Sequence, residues 1–149
     1  MRIKNVVEDV GEAIAQVDFK KYGLVVDELD LTVTTTSVMQ GGIKVDLDVV
    51  EIDASVQGKE VQTITLSLIQ QTATPKVLPD DLLDGLIDGV RNAAEGLRQA
   101  AQSLPDYMMK SATLELTFTI DASGKFAVGI SVGGGRTWEQ SLKITLKRA

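Results

Sequence analysis

The residues that most often do chemistry in proteins are missing from this chain. It has no histidine and no cysteine among its 149 residues. That excludes zinc sites built on thiolate or imidazole, and every serine or cysteine nucleophile that depends on a histidine base. No disulfide can form. Three groupings remain. Gly133, Gly134, Gly135 and Arg136 form a glycine run that could approach a phosphate, but no Lys-Ser/Thr pair opening a helix follows, so a hairpin loop is expected. Asp46, Asp48, Glu51 and Asp53 form an acidic stretch. On an alternating strand the first two point off one face instead of converging on a cation, so a solvated surface is expected. Trp138 beside Arg136 combines two residue types enriched at interface hot spots. These two are the candidate interaction residues, with capping of the core by Trp138 as the competing role. No catalytic, cofactor-binding or metal-binding residue is assigned, no cofactor is expected, and the chain is read as not an enzyme.

Composition narrows the partners. A net charge of −6 disfavours nucleic acid. The opening segment carries acids within its apolar pattern, so neither a secretory signal nor a membrane span is expected, and the default is a cytoplasmic protein. With 44% hydrophobic and only 4% aromatic residues, the core must be built from Leu, Ile and Val.

The elements that would position these groups are legible from their periods. Ile3, Val6, Val7, Val10, Ile14 and Val17 recur at helical spacing. Three period-two runs follow: Leu29, Leu31 and Val33; Ile43, Val45, Leu47 and Val49; Ile64, Leu66 and Leu68. Gly-bearing turns separate them, which predicts an antiparallel meander. The adjacent Val49 and Val50 break the alternation, as a β-bulge or a strand bend would. Residues 70–78 read as a linker. Pro79, Asp80 and Asp81 read as a helix start, followed by the stripe Leu83, Leu86, Val90, Ala93, Leu97, Ala100 and Leu104, which ends before Pro105. Gly85, Gly89 and Gly96 lie inside this helix, where each costs roughly 1 kcal/mol. Close packing, chiefly between the two helices, is expected to explain them. Period-two runs then return at Leu114–Ile120, Phe126–Val132 and Leu142–Leu146.

Helix and three strands thus occur twice. Tyr22 and Tyr107, the only tyrosines, are related by an offset of 85 in residue number, and the same offset relates Leu29 to Leu114, Leu31 to Leu116 and Val33 to Phe118. Val45 matches Phe126 at an offset of 81, Ile64 matches Ile144 at 80, and Val10 matches Leu97 at 87. The reading is an α+β fold of two αβββ repeats, residues 1–69 and 79–149. Each is a helix on a three-stranded antiparallel meander, and the pair is arranged with pseudo-two-fold symmetry.

The strand segments GKFAVGISVGGG and SLKITLKR, the strand LELTFTI and the helix LIDGVRNAAEGLRQA resemble the bacterial trypsin-co-occurring domain family, type two, over about residues 82–148. GGIKVDLDVVEID and VQTITLSL resemble a more divergent copy within residues 3–69. The family's middle strand usually carries an aromatic pair, where this chain has Phe126-Ala127 and Val45-Asp46. The resemblance implies a noncatalytic accessory or adaptor module of bacterial conflict or defence systems, and it supplies no catalytic residues. The function expected is therefore protein interaction or assembly, with a protein partner or self-association. The alternative is a small-molecule or peptide binder using a cleft between the repeats.

Overall fold

The computed structural model describes residues 1–40, 42–51, 61–69, 84–129 and 139–149. Helix α1 spans Ile3–Ala15, and a 3-10 turn, Phe19–Tyr22, leads into β1, Leu24–Gln40. Then come β2, Ile43–Val49, and β3, Val61–Leu68. Helix α2, Asp84–Gln102, precedes β4, Ser111–Ile120, β5, Phe126–Val128, and β6, Gln140–Arg148. The protein is α+β, with two helices and a six-stranded antiparallel sheet. The linker 70–78 and the helix start at Pro79–Asp81 lie outside the described residues.

The amphipathic stripes predict the buried faces in part. Val6, Val10 and Ile14 of the α1 stripe are buried, joined by Ala13, and so are Leu86 and Val90 of α2; further along α2 it is Ala94 that is buried, whereas Ala93 and Leu97 are half-buried and Ala100 is exposed. The buried helix residues share one core with Leu31 and Val33 of β1, Leu114 and Phe118 of β4, and Leu142, Ile144 and Leu146 of β6. Phe118 and Phe126 meet with ring centroids 5.4 Å apart. Leu104, placed on the α2 stripe by spacing, instead lies beyond the helix end and is exposed.

The long strand β1 organises the sheet. Gly23, at φ +75°, donates its N–H to the Lys20 carbonyl and reverses the chain into it. A register shift between Val26 and Glu28 switches the core-facing positions from Leu24 and Val26 to Leu29, Leu31 and Val33. β1 is long enough to carry three partners. Residues 29–32 pair with both β3 and β6, so those strands flank opposite edges. Thr35 and Thr36 pair with both β2 and β3, so β2 shares its edge with β6, the two lying end to end.

This order corrects the expected meander. The hairpins β1–β2 and β4–β5 form, turning at Gly42 (φ +81°) and Gly124 (φ +82°). In the second hairpin the Asp121 carboxylate accepts hydrogen bonds from the Ser123 hydroxyl and from the Ser123 and Lys125 N–H groups, which hold it below the usual carboxylate range. The third strand of each half then crosses to the far edge of the first. β3 pairs with β1, and β6 with β4. Phe118 pairs with both Val128 and Gln140, which sets β5 and β6 on opposite edges of β4. A first strand with both edges available thus takes the central place that a meander gives to the second. Nor is the Val49–Val50 slip a bulge. β2 ends at Val49, and both valines are buried because Val49 N–H reaches the Met1 carbonyl and Val50 N–H the Thr34 carbonyl.

The registers of the two halves correspond at a nearly constant offset. Ser37↔Leu47 becomes Phe118↔Val128, with both members displaced by 81. Val33↔Ile64 becomes Leu114↔Ile144, displaced by 81 and 80 respectively. Val6, Val10 and Ile14 map onto Leu86, Val90 and Ala94 at an offset of 80 throughout. The counterpart of Leu114 is therefore Val33, not Leu29. The two tyrosines are not counterparts either: Tyr22 is packed against the core and Tyr107 is exposed. The halves join through β1 and β6, which are unlike strands, and no β3–β4 pairing accompanies that joint among the described residues. A two-fold arrangement requires both pairings, so pseudo-two-fold symmetry is not shown.

Where β6 ends and β2 ends, one residue of β1 is left facing a gap. The Gln140 side chain fills it. Its Oε1 accepts the Thr34 N–H at 2.7 Å and its Nε2 donates to the Val50 carbonyl at 3.1 Å, while Thr34 O accepts the Val50 N–H. Gln140 is 1% exposed. Its amide continues the ladder that backbone alone would leave broken.

These contacts lead to two stability predictions. Replacing Gln140 with Leu strands the Thr34 N–H and Val50 C=O in the core and should cost about 2–4 kcal/mol in urea unfolding; a loss below about 0.5 kcal/mol, the range of neutral surface changes, would contradict the seam. The helix glycines divide by what they face. A Cβ on Gly85 would lie 3.0 Å from the Phe126 carbonyl oxygen, and one on Gly89 would lie 3.1 Å from Val128 Cγ1, so β5 and not α1 explains them. Nothing lies within 4 Å at Gly96. Gly85→Ala should destabilise by roughly 1–3 kcal/mol through overpacking, whereas Gly96→Ala should stabilise by up to about 1 kcal/mol. Equal effects at the two sites would refute this division.

Candidate functional site

The sequence-derived candidates do not assemble into a site within the described structure. Trp138, Arg136 and the glycines 133–135 lie outside the described residues. Of the acidic stretch, Glu51 accepts from the N-terminal ammonium at 3.3 Å, and Asp48 pairs through its backbone with Arg2 in an isolated β-bridge. Asp53 and the side chain of Asp46 are not described. Among the described residues no group of three carboxylates is placed to hold a metal ion. None of the described helices is long and apolar enough to cross a membrane.

The two broad faces of the sheet differ. One carries both helices. On the other, rows of polar side chains run across the strands. Ser67 Oγ donates to Asp30 Oδ1 at 2.5 Å, and Lys143 stands between Asp30 and Glu115 in the paired registers. Thr32 and Thr65 hydroxyls are 3.0 Å apart. Oppositely charged and hydroxyl neighbours of this kind satisfy one another across strands.

The sheet edges carry what the faces lack. β3 reads VQTITLSL, with no charge, proline or glycine. Its core-side residues Ile64 and Leu66 are only half-buried, whereas Ile144 and Leu146, their counterparts in β6, are fully buried. Among the described residues no strand pairs with the outer edge of β3. Alternation fixes which groups are free. The Thr34 N–H and C=O face the β6/β2 side of β1, so those of Val33 and Thr35 face β3, and they meet Ile64 and Gln62. The backbone polar groups of Val61, Thr63 and Thr65 therefore point outward. Natural edge strands are usually blunted by lysine, proline or a bulge, and β3 has no lysine or proline along its whole length.

A second open stretch lies at the other end of the sheet. Among the described residues β5 pairs with Phe118–Ile120 of β4, and the Gly129 N–H reaches the Thr117 carbonyl; no described strand lies beyond that along the same edge. The Lys110 carbonyl accepts from Arg148 N–H on the β6 side, so the backbone groups of Ser111 and Thr113 point away from β6. All six exposed large apolar side chains among the described residues sit at these two places: Val61, Leu68 and Ile69 (74% exposed) on or next to β3, and Leu104, Tyr107 (75%) and Met108 (71%) just ahead of β4. Neither the missing charge nor the apolar residues of VQTITLSL distinguish an edge from a central strand in sequence, because that depends on which strand β3 pairs with.

A cleft of about 450 Å³ opens between the end of α1, the 3-10 turn and the start of β1, lined by Ile14, Val17, Phe19, Leu24 and Val26 with Asp18 and Lys20 at its margin. Its described lining comes from the first half, and one lining residue, Gln16, accepts a hydrogen bond at its carbonyl from Arg91 of α2.

No protein-family model, no curated protein and no solved structure matches this chain.

Proposed function

We propose that the chain is a noncatalytic interaction and assembly module that works through the backbone of an open sheet edge. The observation that carries this reading is β3: an uncharged strand whose outward N–H and C=O groups are free among the described residues and whose flanks are apolar. Such an edge favours pairing with an added strand, where backbone hydrogen bonds supply affinity and alternating side chains supply selectivity. On this reading Trp138 and Arg136 are auxiliary interface residues.

The same reading treats the fold as an internal duplication of an αβββ unit. Its support is the common order of strand pairing and the nearly constant offset shared by helices and registers. The duplication is head-to-tail and not two-fold. In each unit the helix covers a three-stranded sheet with its first strand at the centre. Membership of the trypsin-co-occurring domain family, type two, and with it an accessory role in a bacterial, cytoplasmic conflict or defence system, belongs to this proposal and rests on the motifs alone.

The first-half cleft favours a second reading, a small-molecule or peptide binder. Its apolar walls with Asp18 and Lys20 at the margin suit an amphipathic ligand.

One substitution separates the two. Thr63→Pro removes an outward N–H from an edge strand without breaking the β3–β1 ladder. Partner capture by the purified protein should fall at least tenfold while the melting temperature stays within a few degrees. If capture is unchanged in Thr63→Pro but is lost when Leu24 in the cleft is replaced by Gln, the cleft reading replaces the edge reading.

A further inference from the structure

We infer that the partner of the β3 edge is a second copy of this chain, and that the two copies repeat between molecules the strand pairing that joins the halves within one molecule. This rests on the edge reading above and gives it a partner and a register.

Within the chain the outer edge of β6 is covered by the first part of β1, from Leu24↔Arg148 to Thr32↔Ser141. The first-half counterpart of β6 is β3, and its outer edge is open among the described residues. The second-half counterpart of Leu24–Thr32 is the segment 105–113, by the β1-to-β4 offset that carries Val33 to Leu114. This segment comprises the stretch before β4 and the first residues of β4, on the edge where no described residue pairs with it. The two sides of the β1–β6 joint are therefore each present a second time, without a strand partner among the described residues, at opposite ends of the sheet. The same two places hold the exposed apolar side chains, Val61, Leu68 and Ile69 at one and Leu104, Tyr107 and Met108 at the other.

Carrying the internal register over gives a specific pairing. Thr32↔Ser141 becomes Thr113 of one copy against Val61 of the next. Asp30↔Lys143 becomes Ser111 against Thr63, and Glu28↔Thr145 becomes Met109 against Thr65. The hydrogen-bonding parity agrees without adjustment. Val61, Thr63 and Thr65 point their backbone groups outward from β3, and Ser111 and Thr113 point theirs outward from β4. The bulge at Asp27 has its counterpart at Met108. Beyond it Val26↔Leu146 becomes Tyr107 against Leu66, which would cover an exposed aromatic and a half-buried leucine together. For that last contact the turn closed by the Tyr107 N–H to the Leu104 carbonyl, 3.0 Å, must open. Lys110, opposite Ile64, and Asp106, opposite Ser67, are the charges within the strand pair.

Because the two surfaces differ, the contact is heterologous. Each copy keeps one free edge of each kind, so association proceeds past the dimer into rings or open chains.

Two blocked variants and their mixture test this. Thr63→Pro removes the outward N–H on the β3 side and Ser111→Pro removes it on the β4 side, and neither removes a bond internal to the sheet. Light scattering coupled to gel filtration at about 100 µM, where contacts with Kd near 10 µM are populated, should show wild-type mass rising with concentration beyond two chains. Each variant alone should be monomeric. An equimolar mixture should stop at the dimer, because only one complementary pair of edges remains. If Ser111→Pro dimerises by itself, β3 pairs with β3 and the head-to-tail register is overturned. A wild-type chain that stays monomeric also overturns it. Circular dichroism of each variant guards against misfolding, and Thr63→Lys and Ser111→Lys, which leave φ unrestricted and set a second positive charge beside Lys110, should give the same pattern. The broader edge reading fails only if, in addition, Thr63→Pro leaves partner capture unchanged.

Discussion

Everything in this sheet depends on β1 having one edge long enough for two strands. β6 occupies its first part and β2 its last. Neither half of the chain could bury its core-facing residues alone, since a helix on three strands is small for independent stability. The β1–β6 ladder turns two marginal units into one sheet with a continuous core, from Val6 and Val10 of α1 to Phe118 and Phe126 of the second half. The Gln140 amide makes this arrangement consistent, because two strands meeting end to end would otherwise leave buried backbone groups of Thr34 and Val50 without partners. A polar side chain deep in an apolar core is costly unless satisfied, and here both ends of the amide are used.

Helix faces and strand positions were legible in the sequence because they depend on local period. Val6, Val10 and Ile14 on one side of α1, and the alternation through Leu114, Leu116 and Phe118, follow from geometry within a few residues. Strand order was not legible. Period two places Ile64 and Leu66 on a core face but does not say whether they lie beside β2 or across β1, since both arrangements put the same side chains inward. Identity at Tyr22 and Tyr107 suggests an offset of 85, whereas the hydrogen-bond registers, which tolerate no one-residue slip without inverting a face, correspond at 81 and 80. Gln140 had no distinguishing signal either. Read along the chain it is one polar residue before an alternating run.

The same geometry accounts for what the surface offers. The open face carries hydroxyls bonded across strands, Thr32 with Thr65 and Ser67 with Asp30, beside Lys143 in register between two carboxylates, and such a surface gives little drive for association. The edges carry backbone groups without a strand partner among the described residues together with exposed apolar side chains. On the proposed head-to-tail duplication, one copy of each joining surface stays unmatched at each end of the sheet, whereas a two-fold joint would have consumed them in pairs. The β3 edge is such a surface, and its sequence carries no charge, lysine or proline to blunt it.

Amide hydrogen exchange along β3, resolved residue by residue at two protein concentrations, tests the account most directly. In dilute solution the Gln62 and Ile64 amides should be protected by β1 while those of Thr63 and Thr65 exchange freely, and at high concentration Thr63 and Thr65 should become protected as well. Uniform exchange along the strand, or protection of Thr63 and Thr65 that does not change with concentration, would contradict it.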